Sequence, residues 1–356
     1  MSAYIQGKEA ASIDVLGKRV FAMYQPYAPE SLPSGDFSIS YYELGDGLPD
    51  GEVPEGYTPE TGSVLYTSSV GQPTGNTNYY MNSDITVSFS SFVEDTAYSG
   101  IFDGCGHTLT VNCYKDNYTA NSEHFWGAFI GTLTGTIKNV KIITRFTWRC
   151  TKSNGYHQYV GGVCGRINGG TILNTSVDAG PYSGQTYNMI YTGRPTARYH
   201  KLAGGIAGTS IGTSNIIKTT VIINDMGWQN TDGGSWTGRP DCRAGVIGFV
   251  GHNGSNGTLN MINVTSAGAG VLTTNCSSGD TNLYAYKAAF MGYIENGHVN
   301  ILGSKNAWSG HTQDLGGYNT NCECSMVADA RSSNNLTITD VFYTPSSYAK
   351  ANGYLE

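Results

Sequence analysis

Five times between residues 127 and 301 a short apolar run flanked by small residues gives way to a turn and then to a second apolar run. Gly127-Ala128-Phe129-Ile130-Gly131 leads to Gly135-Thr136-Ile137-Lys138-Asn139-Val140, and Gly161-Gly162-Val163-Cys164-Gly165 leads to Gly170-Thr171-Ile172-Leu173-Asn174. Gly204-Gly205-Ile206-Ala207-Gly208 leads to Asn215-Ile216-Ile217-Lys218, and Ala244-Gly245-Val246-Ile247-Gly248 to Gly257-Thr258-Leu259-Asn260-Met261-Ile262-Asn263. The fifth unit runs from Ala288-Ala289-Phe290-Met291-Gly292 to Gly297-His298-Val299-Asn300-Ile301. The closing glycines stand 34, 43, 40 and 44 residues apart, which predicts units of two coils of roughly 20 residues each with loops of varying length. Apolar residues between the glycines are expected to face inward and stack on their equivalents above and below. A glycine at each corner is expected to supply φ > 0 and to let the neighbouring rung approach.

Residues 78–343 are therefore expected to form an all-β, right-handed parallel β-helix, a solenoid with long aromatic-rich loops. Tyr79–Val87 and Gly100–Val111 read as its lead-in strands, and Ser325–Ala328 with Asn335–Tyr343 as its last coil and cap, before a C-terminal tail at 344–356. Ahead of it, Tyr4-Ile5-Gln6-Gly7-Lys8 and Ile13–Phe21 alternate apolar and polar positions and are each broken by a Gly-Lys pair, predicting a small antiparallel β unit over 1–26. Residues 27–77 carry Pro29, Pro33, Pro49, Pro54, Pro59 and Pro73 together with Asp46, Asp50, Glu52, Glu55 and Glu60, and read as an extended connector with one short strand at Phe37–Tyr42.

The loops between units are rich in aromatics, and two of them share Thr-Gly-Arg-Pro, at Thr192–Pro195 and Thr237–Pro240. Equivalent loops on one face would carry a ladder of Tyr, Trp and Arg, so Trp148, Tyr156, Tyr187, Tyr191, Arg194, Trp228, Trp236 and Arg239 are the candidate binding residues. Aromatic rings stack on sugars and also fill gaps between loops.

Composition narrows the partners. Only 13% of the 356 residues are charged, with a net charge of −7, 48 Gly and 25 Tyr, so the exterior is covered by small polar groups and Tyr. Without a basic cluster there is no footprint for a phosphate backbone, and nucleic acid is excluded as a partner. No run of apolar residues is long enough to insert in a membrane, and the first residues lack the pattern of a secretory signal. The eight Cys are read as reduced thiols, and the sequons at Asn174 and Asn263, among others, as chance occurrences.

Candidate chemistry is sparse. Cys322-Glu323-Cys324 is too closely spaced for a zinc knuckle. Asn230-Thr231-Asp232 imitates one fragment of a polygalacturonase pattern whose remaining parts are missing, and Asp103 with Gly104 and His107 reads as turn chemistry. Asp84 with Asp95, and Glu295 with His298, are isolated acids that the sequence alone does not bring together. No metal, cofactor or catalytic residue is expected, and the reading leans away from an enzyme.

The run Phe102-Asp103-Gly104-Cys105-Gly106-His107-Thr108-Leu109 resembles the opening coils of pectate-lyase-like β-helix proteins. The later units are similar to the GLUG repeat of bacterial and phage surface proteins, Gly162-Val163-Cys164-Gly165 and Gly205-Ile206-Ala207-Gly208 being the cleanest instances. The N-terminal run resembles the short β modules that begin phage tail and fibre proteins. The resemblance implies a bacteriophage virion protein, a fibre, spike or decoration component assembled in the host bacterial cytoplasm. Tyr4, Ile5, Lys8, Val15, Lys18, Val20 and Phe21 would then attach it to other virion proteins, while its loops meet host surface glycans or neighbouring subunits, in a homo-oligomer by analogy with fibres. A bacterial cell-surface adhesin and a polysaccharide-degrading β-helix enzyme are the alternatives.

Overall fold

The computed structural model describes the strands at residues 3–5, 8–10, 12–15 and 18–21, and then residues 48–120, 124–153, 157–186, 188–191, 201–224, 226–230, 244–253, 257–267, 273–275, 288–294, 297–306, 325–330, 336–339 and 342–343. The regular structure among these residues is entirely β, without a helix. Two compact units divide the chain, Met1–Ser38 and Ile39–Glu356.

In the first unit Ala3–Ile5 pairs antiparallel with Lys8–Ala10, and Ser12–Val15 with Lys18–Phe21. Each pair is separated by two residues ending in glycine, Gln6-Gly7 and Leu16-Gly17, the spacing and residue type that two-residue hairpin connections favour.

The second unit is built from two large sheets in which nearly every pairing is parallel. In one, Thr136–Ser153, Thr171–Gly180, Thr213–Ile223, Thr258–Ala267, His298–Leu302 and Leu336–Thr339 follow one another as neighbours. In the other the order is His124–Gly127, Gln158–Gly161, Lys201–Ile211, Ala244–Asn253, Ala288–Ile294 and Ser325–Ala330. The chain alternates between the sheets, so each circuit adds one rung to both. Register makes the core a set of columns: Phe102, Ile137, Ile172, Ile216, Met261, Ile301 and Ile338 stand directly beside one another. Ile130, Cys164, Ala207, Val250, Met291 and Val327 do the same in the second sheet. At the N-terminal end, Val64–Leu65 adds a further strand to Tyr79–Tyr80, and the buried Tyr66 ring meets Phe102 and Phe129 edge-on at 5.0 and 5.9 Å.

One circuit corresponds to one repeat unit, which corrects the expectation of two coils per unit. Ile137 and Ile172 belong to consecutive units and are nonetheless direct neighbours in the sheet. The intervening residues are used by a pass through each sheet, by connections, and by side strands such as Met189–Tyr191 and Gly227–Asn230.

The corners meet the expectation in part: Gly169 and Gly212, at φ 70° and 65°, supply left-handed backbone between the two apolar runs of their units. A second set of left-handed residues was not expected, Asn139, Asn174, Lys218, Asn263 and Gly303, whose φ values are 53°, 44°, 45°, 52° and 54°. These occupy equivalent positions in successive rungs, between paired residues such as Lys138–Leu173 and Val140–Thr175. Asn tolerates this region because its short amide bonds locally. The closing glycines serve close approach instead: a Cβ on Gly208 would lie 2.5 Å from the backbone nitrogen of Val160 in the previous rung, and one on Gly131 would lie 2.9 Å from the Thr96 carbonyl oxygen. No side chain fits there at ordinary van der Waals separation.

Residues 50–60 form a strap on the rungs. Thr220 Oγ1 donates to Asp50 Oδ2 at 2.6 Å. Gly51 N donates to Asn174 Oδ1 at 3.3 Å, and Lys141 Nζ reaches Glu52 Oε1 at 2.8 Å. Tyr57 and Glu60 then meet Asp103 and Lys138. The strap therefore passes from Thr213–Ile223 back across the sheet to Ile101–Asp103.

Candidate functional site

The strap and the rungs below it enclose one polar network. Asp103, at the end of the strand Ile101–Asp103, is 1% exposed. Its Oδ1 accepts from Cys105 N at 3.0 Å, the turn chemistry expected from Asp-Gly, and from Asn139 Nδ2 at 3.2 Å. Its Oδ2 accepts from the Tyr57 hydroxyl at 2.5 Å and lies 3.6 Å from Lys138 Nζ, which also holds Glu60 at 3.1 Å. Burial, and then the hydrogen bond to the Asp103 carboxylate, raises the Tyr57 phenol above its ordinary range. Burial and the same carboxylate push the Cys105 thiol up to about 12. Cys113 and Cys164 are raised by burial too, and all three are free thiols. A saturated carboxylate, a phenol held protonated and thiols held protonated describe structural bonding rather than a proton-transferring or nucleophilic centre.

The corners continue this polar wiring along the stack. Asn174 Nδ2 donates to Asn139 Oδ1 at 2.8 Å and to the Glu52 carbonyl at 2.8 Å. Asn174 is fully buried, so its sequon is used internally. A second ladder runs within the strands, from Asn300 to Asn260 at 2.9 Å and from Asn260 to Asn215 at 3.0 Å, with His298 Nε2 on Asn300 Oδ1 at its end.

A different cluster lies at the edge of the second sheet. Val93–Glu94 pairs antiparallel with His124–Gly127, Glu94 opposite Trp126. Residues two apart in a strand share a face, and so do cross-strand partners, so the register puts Glu94 on the same face as His124 and Trp126. His124 Nδ1 pairs with Glu94 Oε1, and the next residue, Asp95, turns back at φ 49° to join them. One ligand atom from each of Glu94, Asp95 and His124 lies within 4.8 Å of the other two. Although much of Asp95 is open to solvent, desolvation of its carboxyl raises its pKa, and the Arg166 charge lowers it again. Arg166 itself sits over the Phe125 ring at 4.1 Å.

The structure places the predicted binding residues as follows. Trp148 is a correction: it is not on a loop but in the strand Thr136–Ser153, fully buried, its ring 6.2 Å from that of Trp126. The physical reason is that Phe146, Trp148 and their polar neighbours alternate with period two, which is a strand with one apolar face. Tyr191 and Trp228 also stand in strands rather than loops, Trp148, Met189 and Trp228 forming consecutive register partners. Tyr156, Tyr187, Arg194, Trp236 and Arg239 lie outside the described residues. Of the predicted attachment residues, Tyr4 faces Glu9 and Ile5 faces Lys8 in the first hairpin, while Val15 pairs with Lys18, Ile13 with Val20 and Ser12 with Phe21 in the second. Asp84 accepts from Thr108 N at 2.8 Å and lies 3.6 Å from His107, an arrangement separate from the Asp95 cluster. Glu295, Asp232 and Cys322 with Cys324 lie outside the described residues.

Sequence reasoning missed His124 and Glu94 because nothing local marks them. They are 30 residues apart and meet only through an antiparallel pairing in an otherwise parallel sheet. No protein-family model, no curated protein and no solved structure matches the chain.

Proposed function

We propose that the stacked sheets of Ile39–Glu356 constitute a right-handed parallel β-helix of the GLUG-like kind, and that the protein is a structural component of a bacteriophage particle. In this reading the two N-terminal hairpins attach it to other virion proteins, and the β-helix is the rigid body it displays towards host surface glycans or neighbouring subunits.

The observation that carries the reading is the division of the chain into a small hairpin unit, Met1–Ser38, and a second unit, Ile39–Glu356, whose described strands follow one another as neighbours in two largely parallel sheets. A stack in which each rung touches only its neighbours gives length and stiffness without a deep cavity. A separate small β unit supplies an edge and surface for another protein to complete. The polar networks described above are consumed by the fold itself, which favours display over catalysis.

The test is imaging of the native particle with a label on the C-terminus, together with a chain lacking residues 1–38. Expected are label on phage particles for the full chain, loss of incorporation for the shortened chain, and an unchanged β signal in the far ultraviolet for both. Label confined to cell envelopes or to unassembled material would overturn the reading and bring an adhesin or an enzyme forward.

A further inference from the structure

We infer that Glu94, Asp95 and His124 form a binding site for one divalent transition ion of the zinc class, which fastens the antiparallel edge strand Val93–Glu94 to the second sheet. Three features of this edge point to an ion.

The first is geometry. Bonds of about 2.1 Å from nitrogen and oxygen ligands to a tetrahedral ion put the ligand atoms about 3.4 Å apart. One atom from each of the three residues lies within 4.8 Å of the others, so one ion reaches all three with side-chain adjustment alone. Two of the ligands are fixed by strand register rather than by loop conformation, as Glu94 opposite Trp126 shows, and sites on sheet strands hold their geometry better than sites on loops.

The second is ligand chemistry. An imidazole with two carboxylates is a donor set for zinc and its borderline neighbours, whereas calcium and magnesium take all-oxygen shells. The His124 side chain is only 9% exposed and Glu94 32%, so the nitrogen ligand is held in a poorly hydrated setting. Two carboxylates beside one another also repel, and a divalent ion neutralises both. Three protein ligands leave a coordination position for water or for a group from a neighbouring molecule.

The third is what the ion would do for the fold. Among the described residues of the second unit, the pairing of Val93–Glu94 with His124–Gly127 is the one antiparallel pairing, at the end of the ladder. It is two residues long, and a short edge strand has few backbone bonds to hold it. An ion bridging residue 94 to residue 124 closes that edge.

The experiment uses the full chain freed of metal by a chelator and titrated with Zn²⁺, Co²⁺ or Ca²⁺, followed by calorimetry, thermal unfolding and Co²⁺ visible absorption. Expected are one Zn²⁺ per chain, a Tm rise of at least about 2 °C at saturation, a Co²⁺ d–d band, and no comparable effect of Ca²⁺. Asp95→Asn, at an open position that leaves folding intact, is expected to raise the Zn²⁺ Kd at least about tenfold, and His124→Gln to abolish the band. Absence of binding would overturn the inference and leave His124 with Glu94 as an ion pair. So would Zn²⁺ binding that survives Asp95→Asn and His124→Gln but is lost in Cys322→Ser/Cys324→Ser, which would place the ion on the thiols.

Discussion

Asn174 donates its side-chain amide to the side-chain oxygen of Asn139 in the rung before it, at 2.8 Å, while both residues hold left-handed backbone. The same amide nitrogen bonds the Glu52 carbonyl, and its oxygen takes the Gly51 N–H. One buried side chain therefore sets the corner, links two rungs and fixes the strap.

Replacing Asn174 separates these roles. Asn174→Ala loses the amide bonds and places a Cβ residue at positive φ, for an expected cost of about 2–4 kcal/mol. Asn174→Gly removes the same bonds without the backbone penalty, so it is expected to be the milder change by about 1 kcal/mol. Denaturant titration of the two variants checks the order, and equal losses would show that the corner conformation carries no strain.

The closing glycines make a sharper contrast. Gly208→Ala drives a methyl group into the backbone of Tyr159 and Val160, and more than about 3 kcal/mol is expected to be lost, because backbone cannot swing aside. Gly184 has φ +81° with nothing within 4 Å of a Cβ, so Gly184→Ala is expected to cost only about 1–2 kcal/mol. Thermal unfolding of both distinguishes close approach from conformational freedom.

Tyr57→Phe removes the hydroxyl that donates to the buried Asp103 carboxylate and accepts from Asn139. The expected loss is about 2–3 kcal/mol, the value of a hydrogen bond to a charged group left short of a donor. Glu52→Gln removes an ion pair whose two side chains are each 37% exposed, and about 0–1 kcal/mol is expected, shrinking further in added salt.

Asp50 makes stability depend on pH in an unusual direction. Burial, offset by the Thr220 hydroxyl and the Lys218 charge, holds its carboxyl above the ordinary value of 3.8 in the folded chain. The fold thus prefers the protonated form: this contribution is complete below the unfolded pKa and is lost as pH rises through the folded one. Asp50→Asn is expected to raise stability near neutral pH, with the difference disappearing as pH falls below about 3.9, where the unfolded carboxyl titrates. A destabilised variant at neutral pH would mean that the Thr220 bond and the Lys218 charge outweigh burial.

How much of this the sequence disclosed depended on range. The column Ile137, Ile172, Ile216, Met261 and Ile301 was visible because period-two alternation and inward stacking leave a local imprint. The Asn of three corners was not singled out, because the pattern pointed to glycine as the residue of left-handed backbone, and Lys218 in the equivalent place carried no signal either. Trp148 was readable as a strand residue from its alternation with Thr147 and Arg149, but its aromatic surroundings drew it into the binding set. The number of coils per unit could not be read, because glycine spacing counts connections and strands alike. The strap and the His124 cluster were invisible in principle: an acidic, proline-rich run reads as a spacer until the register of distant rungs shows what it lies on.

The strap also dictates an order of events during synthesis. Asp50 bonds Thr220, a residue 170 positions later, and at roughly 5–20 residues per second a ribosome needs about 10–35 s to supply that partner. The rungs of Asp103, Asn139 and Asn174 emerge earlier, so the strap can close only from its Glu60 end towards its Asp50 end, each new rung providing the next landing point. Within the strap, Asp50 is made before its neighbours and is the last of them to find its partner, and until Thr220 arrives its carboxylate is met by water rather than by that hydroxyl.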